Sequence, residues 1–291
     1  MDRRTFNVLT GLALTPFAFS TRAAEVPRFK SRCKTLEAET GGHLGVTCID
    51  TASDRMFGYK ADERFPMCST FKWLAVASLL NRVDTAHETL DRRIRFGRNE
   101  LLEWAPVTQH HVDGDGMSLA ELCEAAIAQS DNTAANLILR ETGGIAGWNR
   151  YVRSIGDARS RLDRGEPKLN EALPGDVRDT TTPVAMAMDL RRLLLENKLS
   201  PESREQLTRW MLATKTSNQR LRAGLPEGWR LADKTGTGNS GTGTVGDVGV
   251  LWPPSGKPIV LAVYLTQAKV SREKQEAAIA SVGRWMREPH A

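Results

Sequence analysis

Cysteine is scarce in this chain of 291 residues: Cys33, Cys48, Cys68 and Cys123 are the only 4, and no two form a C-x-x-C. A disulfide-stapled miniprotein is excluded by that scarcity and by the length. Three pairings are open if all four are bridged, but buried free thiols are the expected state. Metal-ligand spacing is missing too. His110-His111 has no accompanying cluster, and Asp113-Gly114-Asp115-Gly116 lacks the remaining ligands of a calcium loop, so it reads as a surface turn. No metal and no cofactor are expected. Nor is there a basic block: 40 Lys+Arg against 35 Asp+Glu leave +5, mixed along the chain, which excludes a nucleic-acid-binding arm. Solenoid repeats, low-complexity tracts and apolar runs long enough to span a bilayer are all absent.

What is present suits a globular protein. An apolar content of 40% with 26% charged residues excludes a disordered chain and allows one large or two moderate domains. The first residues read differently. Arg3 and Arg4 precede Phe6, a mostly apolar run spans residues 8–19, and small residues follow at Thr21, Ala23 and Ala24. This is the pattern of an export signal, with the arginine pair suggesting the twin-arginine route and cleavage after Ala23. A periplasmic or secreted protein, free of the membrane after residues 1–23 are removed, is expected. Twin-arginine substrates fold before export in a reducing cytoplasm, so the fold should not depend on a bridge.

Helical spacing over 26–40 ends at Gly41-Gly42, and two short strands follow at 43–50 and 55–60. From residue 70 to Pro201 the apolar spacing is helical, in 71–83, 119–128, 133–139 and 183–195. Strand patterns return at 229–237, 244–252 and 258–266, and a helix over 271–287 closes the chain. Strands at both ends with helices between predict an α+β fold of two domains: an antiparallel sheet flanked by the terminal helices, built from 24–60 plus 214–291, and an inserted all-helical domain over 61–213. The cleft between them is the natural site. Residues 161–179 lack periodicity and read as a long functional loop.

Three short motifs carry chemistry. Ser69-Thr70-Phe71-Lys72 sets a hydroxyl and an amine one turn apart, ahead of the apolar run 73–80. At the N-terminus of a buried helix, free N–H groups stabilise an alkoxide or oxyanion, and burial lowers a lysine pKa. The same spacing recurs at Ser31/Lys34 and Ser271/Lys274, in polar first turns where capping explains it. Ser130-Asp131-Asn132 precedes a helix, where either Ser or Asp commonly caps. Lys234-Thr235-Gly236-Thr237-Gly238 ends a strand; its glycines would let backbone approach a ligand and Lys234 offers a cation, though a plain turn also explains it.

Taken in this order, at these separations, the three motifs resemble those of the penicilloyl serine transferases. Glu166-Pro167-Lys168-Leu169-Asn170, in the long loop, is similar to the hydrolytic-water site that sets class A serine β-lactamases apart from penicillin-binding proteins. The likeness runs over nearly all of 25–290 and includes Glu103-Trp104 and the loop-end pair Arg164 and Asp179. It implies a monomeric enzyme acting on small β-lactams. Ser69 would be the nucleophile, the N–H groups of Ser69 and Thr237 the oxyanion hole, and Lys72 or Glu166 the acylation base. Ser130 would relay a proton to the leaving nitrogen, while Glu166 and Asn170 would hold the deacylating water. Trp104, Asn132, Arg220, Lys234, Thr235 and Thr237 would bind substrate. Arg220 takes the part of an arginine that many members carry on the strand after K-T-G, since 243–249 holds none. The family's bridges would need partners where Gly238 and Val76 stand, leaving Cys68 and Cys123 unpaired. A cell-wall D,D-peptidase and a β-lactam sensor that acylates and stops are the alternatives.

Overall fold

The computed structural model describes residues 20–287, so the signal expected over 1–23 lies largely outside the described residues. Helix α1 (Ser20–Thr40) begins ahead of the predicted 26 and runs through the expected cleavage point, with Pro27 inside it. No helix among the described residues is long and apolar enough to cross a membrane.

Strands β1 (His43–Asp50) and β2 (Arg55–Tyr59) form the expected hairpin. Between them and the C-terminal strands lie two sheets of paired two-residue strands and the helices. β3 (Phe65–Pro66) pairs with β6 (Thr180–Thr181), and β4 (Arg93–Ile94) with β5 (Met117–Ser118). The helices are α2 (Phe71–Asp84), α3 (Leu119–Ala128), α4 (Asn132–Glu141), α5 (Gly144–Ser154), α6 (Pro183–Leu190), α7 (Pro201–Leu212) and the single turn α8 (Leu221–Gly224). The predicted helix over 183–195 is α-helical only to Leu190 and closes as a π-helical turn, Arg191–Leu195. Strands β7 (Arg230–Thr237), β8 (Val245–Trp252) and β9 (Ile259–Thr266) and helix α9 (Arg272–Trp285) complete the chain.

The main sheet has the order β2-β1-β9-β8-β7 and is antiparallel throughout, so N- and C-terminal strands meet where His43 pairs with Thr266 and Asp50 with Ile259. Side chains alternate across a strand, and here both faces are covered. Leu261, Val263 and Leu265 turn to one face with Leu44, Val46, Phe29 of α1 and Ile279 of α9. Val260, Ala262 and Tyr264 turn to the other, joining Trp73, Leu74, Met186 and Leu190 of the helices. This is the α+β two-domain architecture the sequence predicts. Burying α2 over ten successive residues, from Phe71 to Leu80, places its N-terminus, and with it Ser69, against the sheet edge at β7.

Candidate active site

Ser69 sits in a 3-10 turn, Cys68–Thr70, that runs directly into α2. β7 lies against this turn: a Cβ on Gly236 would stand 2.6 Å from the Met67 carbonyl oxygen and 3.0 Å from Thr70 Cγ2. Gly238 is likewise crowded, by Thr242 and Ala172. The motif glycines therefore admit neighbouring protein where the sequence suggests a ligand, and the contact brings the K-T-G strand beside the nucleophile turn.

The Ser69 hydroxyl donates to Glu166 Oε1 at 2.7 Å. The same oxygen is 2.9 Å from Lys72 Nζ, an ion pair with both side chains wholly buried. Lys72 also donates to Asn132 Oδ1 at 2.6 Å, to the Ser130 carbonyl at 2.7 Å and to Ser130 Oγ at 3.3 Å. Burial holds Lys72 below the usual lysine range against the pull of Glu166 and Asp131. Lys234 is pushed down further, first by burial and then by the charge of Lys72. Its Nζ donates to Ser130 Oγ at 3.0 Å, so the Ser130 hydroxyl stands between two lysine amines whose charged forms burial disfavours.

Within the S-D-N motif the capping question resolves to Asp131, whose Oδ1 accepts from Ala134 N while Oδ2 accepts from Val107 N and Thr108 N. Ser130, freed from capping, adopts a left-handed φ of 57°. Asn132 N donates to the Trp104 carbonyl, leaving the Trp104 ring half exposed at the rim.

The 161–179 loop reaches the site through a short 3-10 turn, Lys168–Glu171. Asn170 Nδ2 donates to Glu166 Oε2 at 2.6 Å, and its Oδ1 is buried with no partner. The loop ends are pinned as the resemblance implies: Arg164 Nε donates to Asp179 Oδ2 at 2.6 Å, and Asp179 Oδ1 accepts the N–H groups of Asp163 and Arg164. One residue the sequence reading missed is Asn136. It donates Nδ2 to the Glu166 carbonyl at 2.9 Å and accepts Glu166 N at 3.0 Å.

Arg220 reaches in beside α8. Its Nη1 donates to the Gly236 and Gly246 carbonyls and its Nη2 to Thr237 Oγ1 at 2.7 Å, while Glu276 of α9 pairs with the guanidinium at 3.1 Å. Glu276 was also missed, and nothing local in sequence links it to Arg220. A cavity of about 430 Å³ gathers Ser69, Trp104, Ser130, Asn132, Asn170, Arg220, Thr235 and Thr237, adding Thr216, while Lys72, Glu166 and Lys234 lie buried in its floor through the contacts above. All four cysteines are buried free thiols, and burial pushes Cys33 up to about 12. Among the described residues no cluster of His, Cys, Asp or Glu is arranged for a metal.

A buried serine, lysine and carboxylate facing an open cavity define a serine acyl-transfer site. Comparison with known proteins specifies it. A family model for the beta-lactamase enzyme family matches residues 28–288. Beta-lactamase AER-1 of Aeromonas hydrophila is 43% identical over 247 residues, 85% of this chain and 81% of that protein. Beta-lactamase Toho-1 of Escherichia coli is 40% identical over 280 residues, 96% of this chain and 95% of its own. Among solved structures, an ancestral (GNCA) class A beta-lactamase superposes with a TM-score of 0.87 at 56% identity, covering 89% of this chain and 99% of that one. The chain belongs to the beta-lactamase enzyme family, as a class A serine enzyme.

Proposed function

We propose that the enzyme hydrolyses the amide bond of penicillins and cephalosporins through an acyl-enzyme on Ser69, and so confers β-lactam resistance. In acylation Ser69 Oγ bonds to the lactam carbonyl carbon and its proton passes to Glu166, to which it is already hydrogen-bonded. The N–H groups of Ser69 and Thr237 hold the developing oxyanion. As the C–N bond breaks, the lactam nitrogen takes a proton from Ser130 Oγ, which is replenished through Lys72 at 3.3 Å. Burial of Lys72 suits that relay, because disfavouring its charged form eases the passage of a proton on to Ser130. Lys234, Thr235 and Arg220 bind the substrate carboxylate, Asn132 its acyl amide, and Trp104 walls the opening.

Deacylation carries the assignment, and the observation behind it is the Glu166–Asn170 contact with Asn170 Oδ1 left as a free buried acceptor. A buried acceptor without a partner is costly unless water fills the role. That water attacks the ester carbon, Glu166 takes its proton, and Ser69 Oγ departs reprotonated. General-base assistance is worth about 10² to 10⁴ in rate. Glu166→Ala removes this base while Lys72, one turn from Ser69, still takes the Ser69 proton in acylation, so the variant should accumulate a covalent penicilloyl adduct, visible by intact-mass spectrometry and absent when Ser69 is also replaced by Gly. Equal steady turnover in variant and wild type would reject the water site. Stable adduct on the wild type would favour the sensor or D,D-peptidase reading.

The wider setting is part of the same proposal: a monomer exported by the twin-arginine route to the periplasm or the exterior. Its sheet domain comprises 24–60 plus 214–291 and its helical domain 61–213, without metal, cofactor or nucleic-acid partner.

A further inference from the structure

Two buried carboxyls that the mechanism does not use lie close together where the 161–179 loop begins. Asp189, on α6, is wholly buried; its Oδ1 accepts from Arg192 Nη1 at 3.2 Å and its Oδ2 has no partner. Asp157, just past α5, is 3% exposed; its Oδ1 accepts the N–H groups of Arg159 at 2.6 Å and Ser160 at 3.0 Å, and its Oδ2 is also unpartnered. The two side chains lie within hydrogen-bonding reach. Close packing holds them there. Gly156, at φ 96°, lets the Arg192 guanidinium come within 3.5 Å of where a Cβ would stand.

Arg192 is the cation that contacts Asp189. The other charged or titratable groups around the two acids are Arg153, whose guanidinium donates to the Asp157 carbonyl oxygen, and the Tyr151 hydroxyl, buried and unpartnered. Tyr264 of β9 is within charge range of Asp189, and Asp84 is within charge range of Tyr151. None offers a donor to either Oδ2. A second buried carboxyl close by disfavours ionisation of Asp189, and a hydrogen from Asp189 to Asp157 satisfies an oxygen on each. Burial and the neighbouring Asp157 accordingly raise the Asp189 carboxyl well above the carboxylate range.

The contact joins the two ends of the loop that carries Glu166. Asp157 organises residues 159–160. From there Ser160 Oγ meets Thr181 Oγ1 at 2.6 Å and Arg161 N donates to the Thr180 carbonyl at 2.9 Å. Thr182 then caps α6, on which Asp189 sits. We propose that Asp189 keeps a proton that it donates to the Asp157 carboxylate and that the two act as positioning residues for deacylation, clamping the base of the loop to α6 so that loss of the Asp189 proton at alkaline pH loosens Glu166. The kinetic consequence rests on the deacylation role of Glu166 given above.

Infrared spectroscopy at neutral pH tests the Asp189 proton without turnover. The wild-type-minus-Asp189→Asn difference should contain a protonated-carboxyl C=O band that shifts in D2O, because other protonated acids cancel. A difference holding only ionised-carboxylate bands overturns the proposal. Single-turnover kinetics with a penicillin test the positioning. Asn keeps the hydrogen bond but has no proton to lose. Wild-type deacylation should therefore fall by about tenfold per pH unit once Asp189 ionises, while Asp189→Asn holds its rate further into alkali and acylates as the wild type does. Superimposed deacylation profiles overturn the positioning role. Should Asp189→Asn not fold, Asp157→Asn supplies the same comparison. A wild type that forms no acyl-enzyme counts against the β-lactam reading and leaves the infrared result standing.

Discussion

Ser130 and Asp131 are neighbours with unrelated work, the aspartate capping α4 and the serine hydroxyl bridging Lys72 and Lys234. Asn136, one turn beyond Asn132 on α4, holds the backbone of Glu166 by two hydrogen bonds. At about 1 kcal/mol each, their loss in Asn136→Ala should slow deacylation by up to about 30-fold while acylation survives. A larger penicillin burst and a lower steady rate in stopped-flow traces would register this. The one-turn spacing of Asn132 and Asn136 is a readable signal that both lie on one face of α4; Glu276 has none, because only the fold sets α9 beside Arg220. Asp233 and Asp247 form a buried pair beneath the K-T-G strand. Burial raises both, and each keeps one unpartnered oxygen. In the unfolded chain both ionise near pH 4, so the native state binds the extra proton. Stability from this pair is fully present below that pH and is lost as pH rises toward the folded pKa. Asp247→Asn, which needs no proton, should flatten that decline in urea unfolding measured across pH; parallel slopes would count against it.

Among the elements, the loop 161–179 behaves as a clamped unit. Asp179 accepts from Arg164 and from two loop N–H groups, and its own carbonyl accepts Met67 N at 2.9 Å, next to the nucleophile turn. Asp179→Asn should weaken the Arg164 pair, speed hydrogen exchange across the loop and slow deacylation more than acylation. Unaltered exchange would mean that the pin does not govern the loop. Helices with uninterrupted apolar spacing were legible to within a residue or two, as α2 and α3 are. α7 was missed although Ser200 caps it and Pro201 takes its first position, a start signal read instead as the end of the helical region. α5 opens on Gly143 and Gly144, both at left-handed φ, and so presents a breaker where a helix begins.

For the whole molecule, two cores share one sheet, and neither needs a covalent staple. Losing a native disulfide from a small secreted domain costs about 2 to 5 kcal/mol. With all four thiols free and buried, dithiothreitol should leave melting temperature and turnover unchanged; a fall of many degrees would reveal a bridge. The order of S-x-x-K, S-D-N and K-T-G, the carboxylate loop and the strand–helix–strand layout were all determined by the sequence, because local spacing and side-chain type are properties of the chain itself. Tertiary structure decided the rest. Glu166 and Lys72 are 2.9 Å apart across different elements, and Arg220 is aimed by Glu276 and the Gly236 carbonyl. The motif glycines serve strand-to-turn contact, and the acids Asp157 and Asp189 meet only once the loop has closed. Distances and burial between segments remote in sequence depend on how helices and sheet pack, and pKa values follow from that burial, so no window of residues contains them.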